Sequence, residues 1–299
     1  MVIAIVGGLA AASSFAVSTL VAARASRIAG ASPTVAGAML VGLVILLPIA
    51  LFITPLTGTA SDLLLPTLAG AANVGGLLLA YTAFRIGTVG VVSTVASTEG
   101  SIAAVISVLA GQRLAPGAGP ILAIIAVGVV LAATGGGNEI EEGVRIDRRS
   151  SLQAAGLAAI SATLFGFALF WIGSADSDVP SAWIILPGRL LGVLFVGIPL
   201  AIAGRARVPR RAIPFIVTCG IVEVTGFTAF TIGARENIAV ASVLSSMFAP
   251  IAAVAAFVLF GERLARRQVG GIALVVGGIA LLGAVGAAAA PTAATAFAG

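Results

Sequence analysis

Apolar residues run along this chain in blocks of about twenty, the length a helix needs to cross a bilayer core of about 30 Å. Spans are predicted over 2–23, 34–54, 63–86, 88–110, 119–135, 152–173, 181–203, 212–233, 238–260 and 269–289. Breakers and charges mark the joints, at Arg24 to Pro33, Pro55 to Asp62, Gln112 to Gly117, Arg205 to Arg211 and Glu262 to Gln268. The third and fourth spans meet so tightly that they must form a helical hairpin. Residues 2–23 are too long for a signal-peptide core and no positive charge precedes them, so they read as a first span rather than a removable leader.

The pattern repeats. Tyr81-Thr82-Ala83-Phe84-Arg85-Ile86-Gly87 is echoed by Phe227-Thr228-Ala229-Phe230-Thr231-Ile232-Gly233, and Gly111-Gln112-Arg113-Leu114 by Gly261-Glu262-Arg263-Leu264. The offset is 146 residues from Tyr81 to Phe227 and 150 from Gly111 to Gly261, so two copies of one unit are expected. Each copy holds five spans, an odd number, which makes the second copy enter the membrane from the side opposite to the first. The expected fold is an all-α integral membrane protein of ten transmembrane helices in two inverted five-helix repeats. Residues 1–138 form the first repeat, 139–150 a charged linker loop and 151–299 the second. Inverted repeats suit a transporter, because two near-equivalent halves can rock about a central site.

Composition agrees with a membrane protein: 60% of the residues are apolar and 9% charged, against about 45–50% and about 25% in soluble domains. All 16 basic residues are arginine, and nearly all lie between apolar runs. The high pI is therefore loop charge facing a membrane, and no nucleic-acid partner is expected. Of the 16, Arg113 and Arg235 lie in even-numbered connectors and Arg189 within a span, leaving 13 in odd-numbered connectors. By the positive-inside rule the odd connectors are cytoplasmic and both termini lie on the non-cytoplasmic side of the cell (inner) membrane. Cys219 is the single cysteine, so no disulfide can form within the chain; it reads as a buried, inert thiol.

Polar residues inside the spans locate the candidate site. Glu99 and Glu223 each sit near a helix centre, roughly 16 Å from either surface at about 1.5 Å per residue. A carboxylate there costs of order 2.5–3.5 kcal/mol, so each is expected to face the bundle interior as a proton carrier or as half of an ion pair. Arg189 is the one arginine well inside an apolar run. It either snorkels to the surface past Pro187 or pairs inside with Glu223, Glu99 or a substrate carboxylate. Ser97, Thr98, Ser245 and Ser246 cluster beside Gly100 and Pro250, equivalent helix-breaking positions where freed backbone groups would face a cavity; the ordinary alternative is local backbone bonding. Tyr81, near a helix end, belongs to an interfacial belt or caps that cavity. No Walker loop, no His/Cys metal set and no nucleophile with a histidine base occurs, so the chain is not expected to be an enzyme, and no cofactor or metal is expected.

These residues resemble the EamA-type members of the drug/metabolite transporter superfamily across nearly the whole chain. The marks are Pro250 followed by Gly261-Glu262-Arg263-Leu264, the weaker Gly111-Gln112-Arg113-Leu114, and Arg189 early in the seventh span. The resemblance implies ten helices, a central cavity and movement, often export, of amino acids or related compounds. Met39 stands where the second span could carry an arginine, and the chain departs from the family pattern in the first repeat, where Gly100 stands for a proline and Gln112 for an acid. The first span has Ser13 and Ser14 but no acid, unlike the related small multidrug-resistance transporters. Family members are usually drawn with cytoplasmic termini, opposite to the arginine count.

The leading expectation is a secondary active transporter exporting a small polar metabolite such as an amino acid by alternating access, with protons as candidate coupling ions and the lipid bilayer as its surroundings. Glu99, Glu223, Arg189, Tyr81, Ser97, Thr98, Ser245 and Ser246 are its candidate substrate or coupling residues. The rivals are a divalent-cation carrier, served by two buried carboxylates, and a non-transporting membrane sensor or subunit on the same scaffold.

Overall fold

Backbone groups in a bilayer must be satisfied within their own segment, and each apolar block folds as a helix. The computed structural model describes residues 1–87, 89–114, 116–133, 148–251 and 266–289, with no strand among them. The helices are α1 (Val2–Ala29), α2 (Ala31–Pro48), α3 (Leu64–Ile86), α4 (Val89–Ala96), α5 (Glu99–Leu109), α6 (Ala118–Ala133), α7 (Arg148–Gly173), α8 (Ser181–Gly192), α9 (Ile198–Ile202), α10 (Ile213–Ala234), α11 (Ile238–Ser245) and α12 (Arg266–Ala289).

Among the described residues, seven helical stretches are long and apolar enough to cross a membrane: Val2–Ala29, Ala31–Ile53, Ala60–Ile86, Val91–Leu109, Leu152–Gly173, Ser181–Ile202 and Arg210–Ala234. Ala118–Leu131, Ile238–Ile251 and Val269–Ile279 are apolar but shorter. The chain is a multi-pass membrane protein. The second part of the ninth predicted span, 252–260, lies outside the described residues. So do the linker up to Asp147, the Gly261-Glu262-Arg263-Leu264 motif and the tail beyond Ala289.

Helices start and stop differently from the hydropathy blocks. The joint predicted from Arg24 to Pro33 is mostly helix: α1 runs on to Ala29 and turns at Gly30, whose φ of 95° suits a residue without Cβ. Pro33 then lies in the first turn of α2, where a missing amide costs no helical bond. Arginine is a good helix former, so Arg24 and Arg27 extend a helix that hydropathy alone would end, as Arg148 and Arg266 do at the starts of α7 and α12. The fourth predicted span is two helices, α4 and α5, parted at Ser97 and Thr98.

Packing joins the two ends of the chain. α1 lies along α10 and α3 along α7, while α2 meets α8, α5 meets α11 and α6 meets α12. Glycines set the close crossings: a Cβ on Gly7 would lie 2.7 Å from the Cα of Gly233, and one on Gly70 would lie 2.5 Å from the Cα of Gly188. Such small-residue contacts let helices associate where no hydrophobic drive exists between them. Large apolar side chains point outward instead, with Phe52, Leu109, Phe195 and Ile202 at 72–83% exposure, which places lipid-facing surface on the outside.

Candidate functional site

Residues of α1, α3, α7 and α10, together with Ala96, Glu99 and Phe248 beside the two helix breaks, line a cavity of about 80 Å³. A buried water needs about 10–15 Å³ by this measure, so the space holds several waters or a small solute. Its wall is largely apolar, with Phe15, Phe84, Phe165, Phe227 and Phe248 around it. The polar groups on it are Ser18, Thr19, Asn73, Tyr81, Glu99 and Glu223.

Glu223 is 3% exposed and fully partnered. Its Oε2 accepts from Arg189 Nη1 at 2.8 Å and its Oε1 from the Tyr81 hydroxyl at 2.8 Å. Longer contacts from Ser18 Oγ at 3.4 Å and Cys219 Sγ at 3.5 Å complete the shell around Oε1. Arg189 is 1% exposed, so it does not snorkel; Pro187 leaves α8 helical and the side chain runs inward. Its Nη1 also touches Met39 Sδ at 3.4 Å, and its guanidinium carbon lies 5.6 Å from the centre of the Phe227 ring, within cation–π range. Its Nη2 has no hydrogen-bond partner. Arg189 lines a second, smaller cavity of about 20 Å³, and Asn73 and Phe227 line both.

Tyr81 is 3% exposed, so it is a cavity residue and not a member of an interfacial belt. Its single proton goes to Glu223, and its oxygen also lies 3.2 Å from Cys219 Sγ. Cys219 thus belongs to the polar cluster around Glu223, a role that its apolar sequence neighbours concealed.

Glu99 stands apart. It is 7% exposed, opens α5 and lines the main cavity, and among the described residues no hydrogen bond or ion pair reaches its carboxylate. With Glu223 paired to Arg189, Glu99 is, among the described residues, the one acid on the cavity wall without a partner.

The breaks that bring Glu99 here are built from hydroxyls. Ser97 Oγ donates to the Thr94 carbonyl at 2.7 Å and Thr98 Oγ1 to the Val95 carbonyl at 2.8 Å, bonds that compete with the helix ladder. In the second half, Ser245 Oγ donates to the Ser242 carbonyl at 2.9 Å, the chain turns at Ser246 and Met247, and helix resumes at 248–251. Pro250 has no amide to return to Ser246, which is why the ladder opens there. The two breaks touch: the Gly100 amide donates to Ser246 Oγ at 2.8 Å, and a Cβ on Gly100 would lie 1.9 Å from the Ser242 carbonyl oxygen. None of Ser97, Thr98, Ser245 and Ser246 lines the cavity.

Gln112, where the family pattern has an acid, accepts from the Ala239 amide at 3.0 Å and caps α11 from the other half of the chain, beside the Asn237 cap. Ser18, Asn73 and Phe227 escaped the sequence reading; Asn73, the one asparagine inside an apolar run, carried the signal that could have found the second cavity.

Residues 147–284 match the EamA-like transporter family. The second half of this chain is thus similar to a family of membrane transporters. A solved crystal structure of another protein superposes with a TM-score of 0.64 over 93% of this chain and 95% of that one at 18% sequence identity, a likeness of fold. No curated protein matches the chain significantly.

Proposed function

We propose that this EamA-type chain is a secondary active transporter that exports a small polar metabolite by alternating access, an amino acid being the class the family resemblance implies. The observation that carries the reading is the central cavity, lined from both halves of the chain and bearing Glu223, which Arg189 pairs from behind the wall, and Glu99, which has no partner among the described residues. The helix pairing supports two inverted five-helix repeats over 1–138 and 151–299 and ten spans in all. Exchanging the halves turns the α1–α10 contact into α7–α3, and leaves α2–α8, α5–α11 and α6–α12 as they are. The two breaks then meet at the axis of the exchange, where a rocking motion has its pivot.

On the face of the even-numbered connectors, Thr57 Oγ1 donates to the Asp178 carbonyl at 2.5 Å, Trp183 Nε1 to the Thr54 carbonyl at 2.7 Å and Arg235 Nη2 to the Val179 carbonyl at 2.6 Å. These bonds tie connector to connector and would have to part if that face is to open. In this reading Glu99 and Glu223 are the coupling or substrate groups, with protons as the coupling ions. Arg189 and Tyr81 hold Glu223; Ser97, Thr98, Ser245, Ser246, Gly100 and Pro250 form the pivot. The protein sits in the cell (inner) membrane with its termini non-cytoplasmic. Among the described residues no group of three His, Cys, Asp or Glu could hold a metal ion, so the geometry does not favour the divalent-cation carrier. A panel of radiolabelled metabolites and ions, tested for uptake and counterflow in proteoliposomes, decides the matter: flux of an organic solute supports the reading, and no flux for any solute supports the sensor.

A further inference from the structure

The charge on the cavity wall bears on the sign of the solute it would hold. Glu223 is already neutralised by Arg189 at 2.8 Å and further held by Tyr81. Glu99 is 7% exposed, lines the same cavity and has no hydrogen-bond or ionic partner among the described residues. A carboxylate removed from water without a partner is held only at high cost. What relieves it is a proton or a cation. The remaining wall is rich in phenylalanine, whose ring faces attract a cation and whose surface suits an alkyl or aryl chain.

An anionic pole finds nothing comparable. No arginine lines the main cavity among the described residues; Arg189 lines the smaller one, which shares Asn73 and Phe227 with the first, and its Nη2 is buried. The space is also small, about 80 Å³, which favours a compact solute.

The geometry points to a small organic amine as the ligand of this cavity, its ammonium group on the Glu99 carboxylate and its apolar chain against the phenylalanine wall. The inference rests on the transport reading and narrows its substrate class: the ammonium is the recognised group, and a carboxylate on the same molecule is not required. A primary ammonium carries three donors for the two Glu99 oxygens, and the bond between two charged partners is the strong kind.

The test uses the full chain purified in detergent and three probes of matched shape, n-butylamine, 1-butanol and butanoate, at equal concentration and ionic strength. The readouts are thermal stabilisation and equilibrium dialysis of the radiolabelled probes. Butylamine is expected to bind and stabilise, and the other two not to. Glu99→Gln is expected to lose about tenfold or more in butylamine affinity, the worth of one charge-assisted hydrogen bond, while Asp62→Asn, on an exposed connector, keeps it. Should Glu99→Gln fail to fold, Glu99→Asp, which keeps the charge on a shorter stem, is expected to weaken butylamine without admitting butanoate. Equal binding of butanol and butylamine, stronger binding of butanoate, undiminished affinity in Glu99→Gln or no binding of any probe each overturn the inference. Failure of the transport reading looks different: it is the absence of flux for every solute in proteoliposomes. Flux of anions or of zwitterions without flux of amines leaves transport standing and removes the amine.

Discussion

The Arg189–Glu223 pair offers a decisive test of how the site is held together. Both partners are almost fully buried, at 1% and 3% exposure, and meet at 2.8 Å. Removing one partner of such a pair typically costs about 3–5 kcal/mol, because the other charge stays buried without compensation. Arg189→Met removes the guanidinium and keeps most of the volume. Glu223 then retains the Tyr81 hydroxyl at 2.8 Å, a bond to a charged group worth about 1.5–3 kcal/mol, so the cost is expected at the lower end, about 3 kcal/mol. Glu223→Gln is expected to cost about 4 kcal/mol, since Arg189, whose Nη2 already lacks a partner among the described residues, loses the one carboxylate that pairs it there. The double variant strands neither charge. Its loss is expected to be under about 2 kcal/mol, well below the sum of the singles, because the desolvation cost of the pair disappears with it. Equilibrium unfolding in mixed micelles measures all four corners of the cycle. Additive losses would refute the reasoning and show that the two residues act through separate contacts.

Four further outcomes are expected. Gly100→Ala puts a methyl 1.9 Å from the Ser242 carbonyl oxygen, so the two broken helices must part; a loss of about 1–3 kcal/mol or more in the same unfolding assay, with reduced flux, is expected, and a silent substitution would show that the breaks are not in contact. The Thr59 amide and hydroxyl bond Asp62 Oδ2 at 2.7 Å and 2.9 Å and hold its carboxyl below the ordinary range. Its small contribution is therefore present at neutral pH and lost as pH falls through the depressed value, so the melting-temperature advantage of wild type over Asp62→Asn should fade only in acid; an advantage that grows in acid would reverse the sign. Single cysteines placed in 139–149 in a Cys219→Ser background should resist an impermeant reagent in intact cells, and ready labelling would put that loop outside. Glu99→Gln should abolish flux driven by a pH gradient yet leave counterflow of substrate partly intact, and unchanged gradient-driven flux would make Glu99 structural.

The apolar blocks and the two central acids were legible because burying a charge in a membrane is so costly that few reasons for it remain. The position of Glu223 in α10 fixed its depth, and the inward Arg189 was one of two readings, snorkelling or pairing. The sequence could not choose between them, since Pro187 looks the same whether the helix bends or runs straight. The hydroxyls misled more. Ser97, Thr98, Ser245 and Ser246 carry the same donors whether they face a solute or their own backbone, and here they are spent on the backbone at Val95, Thr94 and Ser242. The expected bend at Gly100 falls at Ser97 and Thr98 instead; Gly100 serves the crossing, where only a hydrogen fits. Helix ends were read from hydropathy, which arginine lowers without ending a helix, so Arg24 and Arg27 marked a joint where α1 continues.

The two halves share a pattern but not a charge, and the asymmetry bears on mechanism. Gly100 and Pro250 hold equivalent places at the breaks, yet the residue before Gly100 is Glu99 and the one before Pro250 is Ala249. Arg189 of α8 stands against Met39 of α2, its counterpart at an offset of 150, at 3.4 Å. Had both halves kept the arginine, two guanidinium groups would face each other across the centre, and one carboxylate could not neutralise both. A methionine there gives Arg189 a soft, polarisable neighbour and leaves its charge to Glu223 alone. The two acids differ by the half that supplies them: Glu223 of the second half is closed by Arg189 of that same half, and Glu99 of the first half, at the start of the helix after the break, has no partner among the described residues.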